Sequence, residues 1–193
     1  MSTVTFIGDV HGQFEIYNRI RLQHDNPTIQ VGDFGFGFEP IPNDLRETDR
    51  IVRGNHDNLT IAKTCPNWIP DGTVESNMMF VGGAFSVDRW RRIEGVDWWA
   101  DEELSIHELG QMINIYEVAK PEIMVTHDCP GNMCHIMNCY ENESRTNQAF
   151  DAMLDIHRPT LWIFGHYHDS RRFTVAGTEF ICLNIYETLT IDV

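Results

Sequence analysis

The sequence predicts an α/β fold built on a largely parallel sheet, and three observations carry that prediction. Short apolar runs recur at Thr3–Ile7, Thr28–Val31, Arg50–Arg53, Met78–Val81, Ile123–Val125 and Leu161–Phe164. Stretches of helical periodicity separate several of them. Five of the six runs also end in a short motif of Asp, Asn or His. In an open α/β sheet, ligands bind beyond the carboxyl ends of the strands, so five such motifs can converge on one place.

The first strand, Thr3–Ile7, runs into Gly8, Asp9, Val10, His11 and Gly12. From Gln13 to His24, the residues Phe14, Ile16, Tyr17, Ile20 and Leu22 give a moderately helical pattern, which Asn26 and Pro27 stop before Thr28–Val31. Strand, motif, helix and strand make a βαβ unit, whose strands should be parallel. Gly32, Gly35 and Gly37 turn residues 32–38 into a bend around Asp33 that lets backbone pass close to bound ions, and a loop with Pro40 and Pro42 follows. Arg50–Arg53 leads into Gly54, Asn55, His56 and Asp57, after which 57–63 reads as a short helix. Met78–Val81 reads as a buried strand, and 84–101 as a long ordered connection rich in Trp and Arg. Ser105 and Glu108 have capping-box spacing for a helix whose apolar face is Leu109, Met112, Ile113 and Tyr116. Ile123–Val125 runs into Thr126, His127 and Asp128; a polar loop through Asn142 and a helix from about Ser144 to His157 follow. Leu161–Phe164 ends in Gly165, His166, Tyr167 and His168, and the remainder predicts two or three strands of a meander turning at Ala176 and Gly177. Residues 1–193 are expected to form one domain.

Composition bounds the function. With 42% hydrophobic and 22% charged residues, the chain is an ordinary globular one. Its 29 acidic against 14 basic residues give a net charge of −15. Such a surface repels phosphate backbones at long range and disfavours a non-specific nucleic-acid binder, although local charge decides whether a nuclease is excluded. No run approaches the roughly 20 apolar residues of a membrane span, and the start lacks a secretory leader. Five cysteines, an odd number, suit a reducing compartment, so the expected location is the cytoplasm, or the host-cell cytoplasm for a phage-encoded protein.

Asp9 and His11, two apart on a stretch expected to be extended, point to one side and can chelate one ion; His166 and His168 share that spacing. Asp33 can bridge two ions through its two oxygens, Asn55 offers an amide oxygen, and His127 adds an imidazole. Two carboxylates, one amide and four imidazoles are too many ligands for one ion and suit two, as in two-metal phosphoryl-transfer sites. Nitrogen and oxygen donors without cysteine fit Mn²⁺ first, with Fe or Zn²⁺ as alternatives.

The ordered blocks Asp-x-His, Gly-Asp, Gly-Asn-His-Asp, His and Gly-His-x-His resemble those of the calcineurin-like metallophosphoesterases from Asp9 to His168. The resemblance implies a four-layer α/β/β/α sandwich, with one metal held by Asp9, His11, Asp33 and His168 and the other by Asp33, Asn55, His127 and His166. It implies that His56 is the catalytic histidine and that a metal-bound hydroxide hydrolyses a phosphomonoester or phosphodiester; a small or nucleotide-like substrate is the expected class. Gly8–Gly12 and Arg53–His56 look like the protein Ser/Thr phosphatase branch, but that branch follows its Gly-Asp with Asp-Arg-Gly. Here Phe34, Gly35 and Phe36 follow instead, which removes an acidic partner for the histidine and a phosphate-gripping arginine, and argues against phosphoprotein substrates. Gly82 to Asp88 and the Arg- and Trp-rich segment after it look more like small bacterial and phage members.

Other readings stay open beside these. Arg89, Arg91 and Arg92 read either as a substrate-binding lip for phosphate or as a solvated basic stretch. Trp90, Trp98 and Trp99 either stack a nucleobase or pack their own loop. Cys129, Cys134 and Cys139 have loose zinc spacing without a fourth ligand and read as thiols. His24, His107, His135 and His157 read as surface or capping residues, and Asp57 and Asp128 as groups that orient neighbours. Two rival functions are a nuclease acting on DNA or RNA and a non-catalytic scaffold of the same fold.

Overall fold

A computed structural model describes residues 3–138 and 144–193. Its strands are β1 (Thr3–Ile7), β2 (Thr28–Val31), β3 (Asp49–Val52), β4 (Val74–Glu75), β5 (Met78–Val81), β6 (Ile123–Thr126), β7 (Leu161–Phe164), β8 (Arg171–Val175), β9 (Thr178–Cys182) and β10 (Thr188–Asp192). The helices are α1 (Phe14–Arg21), α2 (Leu59–Ala62), α3 (Ile106–Ala119), α4 (Cys134–Met137) and α5 (Arg145–Ile156).

The strands form two sheets. One has the order β10-β1-β2-β3, with β1, β2 and β3 parallel and β10 antiparallel to β1; the other runs β4-β5-β6-β7-β9-β8, with a parallel centre and an antiparallel strand at each edge. Side-chain alternation explains how they stack. Val4 and Phe6 of β1 meet Phe80, Val125 and Ile163 between the sheets, whereas Ile7 turns outward to Tyr17 of α1, Phe34 and Ala62. In the second sheet, Met79, Val81, Met124 and Trp162 face outward onto Leu109, Met112 and Tyr116 of α3 and Phe150 and Met153 of α5. The layers are therefore helix, sheet, sheet, helix. Strands covered on both faces read as continuous apolar runs, which is why β5, β6 and β7 stand out in the sequence.

The predicted capping box is present, with Ser105 Oγ accepting from the Glu108 N–H and the Glu108 carboxylate accepting from the Ser105 N–H. Leu109, Met112 and Tyr116 are buried as expected.

Two expectations need correction. The C-terminal strands are no single meander: β8 and β9 form a hairpin in the second sheet, and β10 crosses to pair with β1. Alternation marks strands but cannot say which sheet they join. The stretch after His127 is not only loop, because Gly131–Met133 makes a 3-10 turn leading into α4; each piece is too short for helical periodicity to register. Cys139 and Asn142, two residues of the predicted loop, lie outside the described residues. The two-residue strand β4 went unseen for the same reason of length. Among the described residues, no helix is long and apolar enough to cross a membrane.

Candidate metal centre

The carboxyl ends of β1, β2, β3, β6 and β7 meet at one edge of the sandwich. Asp9, His11, Asp33 and His168 each bring a ligand atom there, and these four atoms all lie within 4.8 Å of one another. His168 Nε2 stands 3.2 Å from Asp9 Oδ2 and 2.9 Å from His11 Nε2, and His11 Nδ1 stands 3.9 Å from Asp33 Oδ2.

The backbone achieves this differently from the expectation of extended pairs. His11, Asp33, His166 and His168 all have left-handed backbones, with φ of 51°, 53°, 68° and 50°. Non-glycine residues rarely adopt that conformation, and they keep it only where the surroundings dictate it. Here the Asp33 carbonyl accepts from both the Val10 and His11 N–H groups, and the Asp9 carboxylate accepts from the His166 N–H. Tight turns, not strand pleats, aim these ligands. The motif glycines make the close approach possible. A Cβ on Gly54 would lie 2.0 Å from Asp33 Oδ1, and one on Gly165 would lie 2.2 Å from Asp9 Oδ1.

A second group flanks Asp33. His127 Nε2 is 3.0 Å from Asn55 Oδ1 and 3.4 Å from Asp33 Oδ1, while the His166 ring centroid is 5.1 Å from that of His127. His127 Nδ1–H donates to the Val31 carbonyl at 2.9 Å, which leaves Nε2 as the atom aimed at the site. Asn55 Nδ2 donates to the buried hydroxyl of Ser86 at 2.9 Å and so turns Oδ1 toward His127. Ser86 was missed by sequence reasoning; no spacing rule links it to Asn55, 31 positions away.

Electrostatics reflect the crowding. Burial alone would lower the His127 pKa, but Asp33 and Asp9 outweigh it and raise it to about 10. Burial likewise opposes ionisation of Asp33, yet His127, His56 and His11 hold its carboxyl well below the usual range. The bond to Asp9 raises His168, and burial lowers His11 and His166.

His56 sits at the rim of this cluster. Its ring centroid is 5.9 Å from that of His11, its N–H donates to Asp33 Oδ1 at 2.9 Å, and its Nδ1 is buried without a hydrogen-bond partner among the described residues. His11, His56 and His168 line a cleft of about 230 Å³ together with Phe38 and Arg92.

The donors fit divalent cations. Two carboxylates, an oriented amide oxygen and imidazole nitrogens gather at one place, with no cysteine among them. The model of one family, described as calcineurin-like phosphoesterase, matches residues 2–170 of the chain. The chain belongs to the calcineurin-like phosphoesterases. No curated protein matches it. In this calcineurin-like phosphoesterase, the clustered Asp and His residues form a candidate divalent-metal site, and the two stacked sheets flanked by helices agree with the family's fold.

The remaining predicted residues are placed variously. Arg92 lines the cleft, whereas Arg89 lies over the Phe85 ring and Arg91 over the Trp90 ring, at 4.5 and 4.4 Å. Trp99 is buried edge-on to Phe38, so it packs the loop, while Trp90 is exposed. Cys129 and Cys134 are buried, and Cys139 lies outside the described residues. His157 closes α5 and bonds the Pro121 carbonyl; His107 and His135 are exposed. Asp57 serves backbone, accepting from the N–H groups of Phe34, Gly35, Phe36 and Gly54. It thereby ties the bend after β2 to the end of β3. Asp128 accepts from the Tyr167 hydroxyl and the Cys129 N–H.

Proposed function

We propose that this protein is a dimetal phosphoesterase that hydrolyses a small or nucleotide-like phosphate ester, a monoester or a diester. One observation carries the reading: the cluster of Asp9, His11, Asp33 and His168 reaches, through His11 and His168, the cleft that His56 also lines. Asp9, His11, Asp33 and His168 would hold one ion, and Asp33, Asn55, His127 and His166 the other. Bound divalent cations, Mn²⁺ first and Fe or Zn²⁺ as alternatives, supply Lewis acidity that lowers the pKa of water and neutralises phosphoryl oxygens. Asp33 lies between the two ligand groups, within reach of both His11 and His127. The Val31 carbonyl fixes the His127 tautomer, and Ser86 fixes the Asn55 amide. His56 acts on the phosphoryl group, stabilising developing charge or donating to the leaving oxygen.

The test is hydrolysis of para-nitrophenyl phosphate and its bis ester with added Mn²⁺, using His56→Ala as the control. The variant is expected to keep its metal content and to lose roughly 10²- to 10⁴-fold in kcat, the usual worth of a positioned acid–base group. Undiminished turnover in His56→Ala would remove the histidine from the mechanism. Wild-type protein that binds manganese but cleaves neither ester at any rate above the variant would instead favour a scaffold.

A further inference from the structure

The bend after β2 brings no hydrogen-bond-donating side chain to the cleft. Phe34, Gly35 and Phe36 supply no charge there, and Asp57, the nearest acid in sequence to His56, is engaged by four backbone N–H groups. The residue that enters the cleft comes from the long connection 84–101. Arg92 lines it beside His11, His56, His168 and Phe38. Arg92 is only about a quarter exposed (24%), and its guanidinium is pinned by two parallel bonds to Asp88, Nε to Oδ1 at 2.8 Å and Nη2 to Oδ2 at 2.9 Å. A 3-10 turn at Arg89–Arg91 sets this i,i+4 pairing. The bond from Arg92 holds the Asp88 carboxyl below the usual carboxylate range. Arg89 and Arg91 cover aromatic rings of their own loop.

The geometry points to Arg92 as the donor that grips the phosphoryl oxygens of the substrate, with Asp88 as the residue that positions it, and to a phosphodiester as the preferred class. This rests on the phosphoesterase reading above. A pinned guanidinium keeps its Nη1 edge for an anion, and two of its five donors are already oriented by a carboxylate, so little rotamer freedom is lost on binding. Asp88 also cancels the charge that Arg92 brings. The pair thus offers directed hydrogen bonds with no net charge beside the apolar wall of Phe38. A diester monoanion carrying a second organic group suits that better than a monoester dianion.

Two measurements on the manganese-loaded protein test it. Calorimetric titration with inorganic phosphate should show affinity falling at least tenfold in Arg92→Ala, falling less in Arg92→Lys, and staying unchanged in Arg89→Ala and Arg91→Ala. The ratio of kcat/KM for the bis ester to that for the monoester should exceed one, and Asp88→Asn should shift it toward the monoester by uncovering the arginine charge. A merely structural role for Asp88 would depress both substrates equally. Phosphate affinity unchanged in Arg92→Ala, reduced alike in all three arginine variants, or absent from wild-type protein would overturn the assignment. Monoester preference in wild-type protein would overturn the substrate class. Wild-type protein that binds phosphate through Arg92 and hydrolyses neither ester would sink the phosphoesterase reading while leaving the anion site standing.

Discussion

At the scale of single residues, His127 shows how far the site departs from an ordinary cluster of polar groups. A buried imidazole should favour its neutral form, yet Asp33 and Asp9 hold the His127 pKa up at about 10, and the bond to Asp9 raises His168. An imidazole ligates a cation only in its neutral form, so in the proposed dimetal site an incoming cation would displace these protons. The sign follows: below about pH 10 His127 carries a proton in the free protein, uptake releases it, and apparent affinity falls as pH falls. Calorimetry of Mn²⁺ binding at pH 7 to 8, in buffers of different ionisation heat, should report about one or more protons released per protein. Zero release would overturn the protonated His127 of the free protein. Ser86 acts at the same scale. Ser86→Ala removes the acceptor for Asn55 Nδ2 and frees the amide to rotate, and losing such an outer hydrogen bond typically costs about 10- to 100-fold in metal affinity. The expected signature is one weakened ion out of two in a metal titration, with Ser86→Thr restoring it.

At the scale of elements, signals strong in the sequence are those set by local chemistry. The capping box of α3 could be read from Ser105 and Glu108 because both bonds span three residues. Ser105→Ala should cost about 1 kcal/mol, and hence about 2–4 °C in Tm for a protein of this size, without affecting metal content. A larger loss would show that Ser105 does more than cap. Conversely, β4 and α4 leave no pattern because neither completes enough of a period, and in the sequence the turns that carry His11, His166 and His168 read as extended chain. Left-handed φ at a histidine has no local signature: Asp33, Asp9 and their bonds to distant N–H groups impose it.

For the whole molecule, the site is the seam that joins the two sheets. Asp9, Asp33, Asn55 and His56 follow strands of one sheet and His127, His166 and His168 follow strands of the other, so cations held by them, as proposed, would tie the layers together. Anything that binds only the folded state raises stability by mass action, about 2.7 kcal/mol at 100 times Kd. Thermal unfolding with Mn²⁺ at that excess should lie about 5–10 °C above the chelator-treated protein. Coincident curves would argue against a site spanning both sheets. Pattern along the chain is enough for the α/β class, for the spans of β1, β2, β5 and β7, and for the identity of the clustered Asp and His residues. Each of these is written in short-range pattern: apolar runs, motif spacing, a cap. It takes the folded molecule to bring β10 across to β1, Ser86 to Asn55, Arg92 alone among the loop arginines into the cleft, and Asp57 to the backbone it braces. Those outcomes depend on which distant groups come within hydrogen-bond range once two sheets stack, and no periodicity along the chain encodes that distance.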